Sequence, residues 1–289
     1  MLEVLEPAQT LDLTTLEKVK QALDIDPADT SKDALLSDLI TRVSSDIQNP
    51  AGEYQFFVRQ KYNETVPGHG TLMLQLARTP IVEVTSVLHN SDPITDYQIA
   101  DRLAGHLYRK CAWWWTAGVG WHLTGYVIPR SEHPEFVVEY KAGYIPPKNA
   151  VKNITGITQA ASARVTTSTA HGLSVGDFVT FAGVGGMVEI NGVRAKVKTI
   201  VSATQFDVEV NSSGFTAYTS GGTVDTRNLE WDIEDAAIVT VIDRFRNLSR
   251  DENVKSKSVG DLSITYGDRG VQQFPNRALV ILEKYRRLV

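Results

Sequence analysis

Cysteine is almost absent from this chain, and long apolar runs are absent altogether. Cys111 is the only cysteine in 289 residues, so neither an intrachain disulfide nor a thiolate metal site can form. No apolar run approaches the ~20 residues that span a membrane, and Met1–Glu6 is acidic where a signal peptide would be basic. We therefore expect no membrane contact and a cytoplasmic start.

A second deficit is basic charge. The formal net charge is -5, whereas surfaces that hold nucleic acid place Lys and Arg against the phosphates. The histidines show none of the spacings that build metal sites, and no glycine-rich loop of the phosphate-binding type occurs. The sequence therefore predicts no metal, no cofactor and no stable grip on DNA, although DNA in transit is compatible with this charge.

One motif points toward catalysis. Gly172–Gly176 matches the G-x-S-x-G pattern of hydrolases and places Ser174 near His171. That pattern requires a helix after the serine, but Asp177–Phe181 reads as a strand. Adjacent residues are also poorly placed to act as a nucleophile and its base. We interpret Ser174 as part of a turn and expect no enzyme, with a serine hydrolase as the least favoured alternative.

Four segments carry apolar residues at helical spacing. The first follows a capping-box pattern at Thr14–Glu17, the second stops at Asn49–Pro50, and the last begins at Pro275, which the first turn of a helix tolerates. The predicted helices span residues 14–24, 31–49, 233–248 and 275–288.

Short alternating runs occupy the middle of the chain and predict antiparallel strands between Gly, Pro and Asn turns. These strands span 56–62, 72–76, 82–88, 97–100 and 136–140. The stretch 153–226 is different, because it is rich in Thr, Ser, Gly and Val and has no helical stripe. Its glycine-punctuated strands, at 164–167, 178–181, 195–201 and 205–210, predict a small all-β barrel or sandwich.

This β-rich stretch interrupts a motif. Glu139–Pro147 reads as the start of one pattern, and Leu229–Ile238 reads as its continuation on the far side of 153–226. The sequence therefore predicts an α+β fold with two domains. The first is discontinuous and comprises 1–152 plus 227–289, and the second is the insert, 153–226.

The discontinuous domain contains a fixed order of elements: the paired amino-terminal helices, then Asp96–Tyr108, Val137–Tyr144, Ala236–Arg246 and Val254–Tyr266. This order resembles that of the head-tail connector, or adaptor, proteins of tailed bacteriophages. The last two look like the long helix of that family and the loop and strand that follow it. The insert and the tryptophan-rich segment around Trp113 depart from the family pattern.

The insert carries a resemblance of its own. Thr169–Asp177, Phe181–Gly192 and Ala203–Asp207 resemble a small β module that recurs in phage structural proteins. That module is similar to a non-catalytic β half-domain of ubiquitin-activating enzymes. The likeness concerns the fold, and no ubiquitin chemistry follows from it.

The connector resemblance implies a structural virion protein at the head-tail joint, assembled in the host cytoplasm. It implies a homomeric ring of about twelve subunits that docks on the portal protein, contacts a downstream neck or tail completion protein, and extends the DNA channel to the tail. The main alternative is a host-surface or carbohydrate-binding tail module, which would use the loops of the insert and the tryptophans.

Two segments are candidate partner-binding surfaces. Consecutive tryptophans cannot all face one side of a strand, so they form either a hairpin tip packed on its own sheet or an interface. The last helix, about 22 Å long as predicted, either exposes its charges to solvent or docks its apolar face into a portal groove. The candidate residues are Trp113, Trp114, Trp115, Trp121, Arg277, Leu282, Tyr285, Arg286 and Arg287.

Overall fold

A computed structural model describes residues 1–48, 55–89, 91–113, 135–248, 256–259, 262–265 and 274–286. The chain divides into two compact units. The β unit comprises Met1–Thr10 and Phe56–Asn228, and the helical unit comprises Leu11–Gln55 and Leu229–Val289. Antiparallel sheets together with four α-helices in the described residues confirm the α+β class.

Two sheets of the β unit share one core. The five-stranded sheet has the order β1-β2-β8-β4-β5, and a three-stranded sheet has the order β3-β7-β6. Every second side chain of β2 and β8 is buried, as a strand with one covered face requires. The strands are β1 Leu2–Glu6, β2 Gln60–Val66, β3 Met73–Gln75, β4 Ile81–His89, β5 Asp92–Pro93, β6 Tyr97–Asp101, β7 His106–Arg109 and β8 Phe136–Ala142.

The rest of the β unit is a six-stranded barrel with its own core. Its strands pair in the closed order β10-β13-β12-β11-β14-β9, and every pair is antiparallel. Gly186 is required where two loops meet, because a Cβ atom there would lie 2.2 Å from the Ala217 carbonyl oxygen. The strands are β9 Val151–Ile157, β10 Arg164–Thr167, β11 Phe178–Ala182, β12 Arg194–Ser202, β13 Gln205–Val208 and β14 Thr223–Asp225.

The helical unit is built from α1 (Leu16–Ala22), α2 (Asp33–Ile47), α3 (Trp231–Asn247) and α4 (Asn276–Leu282), with a hairpin of β15 (Ser256–Val259) and β16 (Leu262–Thr265). The apolar stripes that predicted the helices are buried, among them Leu36, Val43 and Ile233. The N-cap of α1 is Thr15 rather than the predicted Thr14, whose hydroxyl instead donates to the buried Glu234 carboxylate.

The two ends of the barrel lie side by side. The Thr226 N–H donates to the Ala150 carbonyl oxygen at 3.1 Å, and the Asn228 N–H donates to the Ile145 carbonyl oxygen at 3.2 Å. Adjacent ends are what an insertion into a host domain requires. The predicted boundaries at 153 and 226 nevertheless stay a prediction, since the compact units divide the chain elsewhere.

We expect the rest of the chain to fold without the barrel. Joining Ala150 to Thr226 through two glycines bridges a gap that one backbone hydrogen bond already spans, and it leaves the core between the two sheets intact. Urea unfolding of the shortened chain should remain cooperative with a smaller m value, because less surface becomes exposed. Excision in an Arg59→Gln background controls for the cation whose barrel partner is removed. Aggregation in both backgrounds would contradict an independent host fold.

Candidate functional site

Trp113 belongs to the core of the β unit. It is fully buried, and its Nε1–H donates to the Leu107 carbonyl oxygen at 3.1 Å. Its ring meets that of Phe136 edge to face at 5.1 Å. Partner binding is therefore the wrong role for Trp113, which packs on its own sheets because a buried carbonyl satisfies its indole N–H. Trp114, Trp115 and Trp121 lie outside the described residues, and their role stays a prediction.

The last helix is shorter than predicted. α4 has seven residues, about 10 Å instead of 22 Å, and it continues only as a 3-10 turn before Arg286 adopts extended backbone. Leu282 is fully buried in the helical unit, so its assignment to a partner surface is wrong. Truncation after Phe274 would consequently remove part of a core as well as any docking surface.

The charged residues near α4 bind within their own unit. Arg277 donates to Asp235 at 2.8 Å, and the Tyr285 hydroxyl donates to Asp232 at 2.7 Å. The Arg277 side chain is nevertheless 69% exposed, and Arg286 is 50% exposed, so both face solvent in the isolated chain. Arg287 lies outside the described residues. A role in partner binding for the exposed arginines stays a prediction.

The Ser174 motif is built as a turn. The Asp177 N–H donates to the Ser174 carbonyl oxygen at 3.1 Å, and the chain then enters strand β11. The imidazole of His171 contacts backbone on both sides, since Nδ1 accepts from the Leu173 N–H at 2.9 Å and Nε2 lies 3.0 Å from the Ser202 carbonyl oxygen. Burial lowers the pKa of His171, which favours the neutral ring that these two bonds require.

Asp177 joins the barrel to the five-stranded sheet. The Arg59 guanidinium binds it through two N–H groups, Nη1 to Oδ2 at 2.7 Å and Nη2 to Oδ1 at 3.0 Å. Ser174 and Asn228 donate to the same carboxylate at 2.8 and 3.2 Å. Both charged side chains are about nine-tenths buried, at 10% and 11% exposure. This bidentate pair fixes the barrel against the sheet.

A groove beside this pair carries positive charge. It measures about 470 Å³, and its one acidic lining residue is Glu6. Lys61 is neutralised by Glu139 at 2.5 Å, and that hydrogen bond raises the pKa of Lys61. Five cationic residues line this basic groove: Arg59, Lys61, Lys141, Lys148 and Lys152.

Two of these lysines are not neutralised. Neither Lys141 nor Lys152 forms an ion pair with any residue that the structure describes. In the strand register, Lys141 lies opposite Lys61 of β2 and Glu83 of β4. Burial lowers the pKa of Lys152, because no carboxylate offsets the loss of water around the amine. The groove therefore presents uncompensated positive charge in a chain whose net charge is -5.

Sequence reasoning missed this groove. Lys141 and Lys152 flank the start of the barrel, and Arg59 lies far from both in the chain. No motif spacing connects them, and the low net charge argued against any basic surface. A local signal for positive charge was present, because Lys141, Lys148 and Lys152 are the only charged residues between Glu139 and Arg164.

The described residues contain no grouping of three His, Cys, Asp or Glu side chains that could hold a metal ion. Within the same residues, no helix has the length and apolar character needed to cross a membrane.

Comparison with known proteins gives a family match for part of the barrel. The family of the ubiquitin-activating enzyme E1 FCCH domain matches residues 160–227. This segment contains the three motifs that resemble a half-domain of those enzymes. The match covers well under half of the chain and concerns the barrel alone.

Among solved structures, the chain is similar to a protein in the neck of an empty GTA particle computed with C6 symmetry. The two are 12% identical, the alignment covers 50% of this chain and 71% of the other, and the TM-score is 0.33. No curated protein matches the sequence.

Proposed function

We propose that this chain is a structural subunit of a tailed-phage neck, which assembles into a ring at the head-tail joint, docks on the portal and extends the DNA channel toward the tail. The observation that carries the proposal is the order of connector-like motifs on both sides of the barrel. In this function the downstream partner is a neck or tail completion protein, and DNA contacts the ring only in transit.

The insertion geometry supports reading those motifs as one interrupted pattern. The segment Glu139–Pro147 ends beside the barrel entrance, where Ile145 and Asn228 are joined by two hydrogen bonds. A chain that leaves and re-enters at one point can carry an extra module without changing the order of its other elements.

Exposed apolar side chains support self-association. A closed ring requires two different complementary patches on every subunit. Trp231 and Val280 are 65% and 69% exposed in the helical unit, and Leu103 and Val151 are 69% and 58% exposed in the β unit. In a ring of the proposed kind these side chains would be covered at the contacts between subunits.

Native mass spectrometry and electron microscopy of the purified full chain test this function. We expect ring-shaped homo-oligomers of about twelve copies, alone or on addition of the portal protein. As a control, circular dichroism of the same sample at the same concentration reports whether the chain is folded, so that unfolding is not mistaken for a lack of assembly. A folded chain that stays monomeric with and without portal contradicts the proposal.

The same sample separates the alternatives. A carbohydrate-binding tail module would bind glycans as a monomer, and a serine hydrolase would react with a fluorophosphonate probe in a manner lost on Ser174→Ala. Either result without ring formation would replace the neck function.

A further inference from the structure

The loop between α1 and α2 has the charge that the basic groove lacks. This acidic loop, Asp24–Asp29, carries three carboxylates in six residues, and each of them is exposed. The negative charge that the loop exposes to solvent is opposite in sign to the charge of Lys141 and Lys152. The loop belongs to the helical unit and the groove to the β unit.

The acidic loop is held in one conformation. The buried Lys20 ammonium donates to the carbonyl oxygens of Pro27 at 2.9 Å and Asp29 at 2.6 Å, and it pairs with Asp33 at 2.9 Å. Asp26 Oδ1 accepts from the Ala28 N–H at 2.8 Å, and Asp29 Oδ1 accepts from the Ser31 N–H at 2.9 Å. A loop already ordered in this way loses little entropy when it binds.

Both aspartates accept from backbone N–H groups of the loop, and the Asp29 carboxylate also hydrogen-bonds the Ser31 side chain. Among the described residues, Oδ2 of Asp26 has no hydrogen-bond or ion-pair partner, and the exposed Asp29 carboxylate keeps acceptor capacity beyond its bonds to Ser31. These oxygens can accept from an ammonium group without breaking the bonds that shape the loop. The turn and its outer carboxylates thus form a preassembled ligand for a pair of lysines.

We propose that the acidic loop of one copy of this chain binds in the basic groove of the next copy, with Asp26 and Asp29 against Lys141 and Lys152. The inference rests on the proposed ring and names one of its contacts. A head-to-tail contact joins two different surfaces of the same chain, and these two surfaces are complementary in charge.

The size of the groove favours a protein loop over nucleic acid. A volume of about 470 Å³ is that of a small-ligand pocket. A turn of a few residues fills such a space, whereas a duplex is held by cations spread along a surface. The groove walls also include apolar side chains, among them Pro146 and Leu173, which suit Ile25 and Pro27 between the carboxylates.

Charge reversal tests the contact. The groove variant is Lys141→Glu/Lys152→Glu, the loop variant is Asp26→Lys/Asp29→Lys, and each is compared with the full wild-type chain by sedimentation velocity in about 0.1 M salt. We expect either variant alone to self-associate at least ~10-fold more weakly, because two attractions become repulsions. Wild-type association should also weaken in about 1 M salt, where the screening length falls to ~3 Å.

An equal mixture of the two variants should associate as wild type does. In an alternating ring every reversed groove meets a reversed loop, and every native groove meets a native loop. A chain that carries all four substitutions should regain self-association for the same reason. Rescue of this kind also shows that the single variants are folded.

Lys196→Glu/Lys198→Glu is the matched control, since it changes the net charge equally on exposed positions of β12 outside the groove. Wild-type association by the groove variant, or failure of the mixture to associate, would overturn the inference while leaving the ring intact. Binding of a labelled DNA duplex that the groove variant loses, with unchanged self-association, would reassign the groove to nucleic acid. A monomeric wild type in every salt would remove the proposed function itself.

Discussion

We expect Trp113→Ala to lower the free energy of unfolding of the β unit by about 3–5 kcal/mol. Trp113 is fully buried between the two sheets, so truncation leaves a cavity lined by Phe136 and its neighbours. The substitution also removes the only side-chain donor to the Leu107 carbonyl oxygen that the described residues show. Urea unfolding followed by near-ultraviolet circular dichroism measures the loss.

Trp113→Phe and Trp114→Ala serve as comparisons. Phenylalanine keeps most of the buried apolar volume and loses the hydrogen bond, so its cost should be distinctly smaller than that of alanine. If Trp114 contributes to an interface, which is one of the two interpretations of the tryptophan segment, Trp114→Ala should weaken assembly more than folding. Unchanged unfolding of Trp113→Ala together with lost assembly would return Trp113 to the interface.

Helices could be predicted because most of their buried positions are apolar and recur at helical spacing. The segment from Leu35 to Ile47 shows this, and α2 spans Asp33–Ile47. The last helix was overestimated because Leu282, Tyr285 and Leu288 continue the spacing. The spacing alone does not show where the helical backbone ends, and the backbone becomes extended at Arg286.

Strand β2 shows why the sheet was harder to predict. The sequence predicted 56–62, but the strand spans Gln60–Val66 and places Gln60 and Glu64 on its buried face. Glu64 is tolerated there because it accepts from the Tyr140 hydroxyl at 2.5 Å and from the Ala77 N–H at 3.0 Å. Burial raises the pKa of Glu64. Polar residues with distant partners hide the alternation that identifies a strand.

Strand β1 was missed for a related reason. Leu2–Glu6 is an edge strand whose residues are mostly exposed, so it shows no alternation of buried and exposed positions. It forms because its backbone pairs with β2, for example Leu2 with Glu64. Pairing between such distant segments depends on tertiary structure and leaves no local signal in the sequence.

The contact between the barrel and the five-stranded sheet could not be predicted from the sequence either, although it holds the barrel in place. Arg59 and Asp177 are 118 residues apart, and the sequence assigned Asp177 only to a strand after a turn. The turn before Asp177 explains the position of this residue. Gly176 has a φ of +94°, which lets the chain reverse and directs Asp177 back toward Ser174 and Arg59.

We expect Asp177→Ala to be the second large destabilisation, at about 3–5 kcal/mol. The substitution leaves the Arg59 cation nine-tenths buried, with only the carbonyl oxygens of Gly143 and Gly172, each at 3.3 Å, as remaining partners among the described residues. It also removes the acceptor of the Ser174 N–H. Urea unfolding of the full chain measures the loss.

A double-mutant cycle with Arg59→Ala isolates the pair. Most of the cost of Asp177→Ala comes from the unpaired, buried Arg59 charge, so removing that charge as well should recover part of the lost stability. The double variant should therefore lose less free energy of unfolding than the sum of the two single losses. Strictly additive losses would mean that water or other groups already compensate the Arg59 charge. Subadditive losses would identify Arg59 and Asp177 as a coupled contact that holds the barrel against the five-stranded sheet.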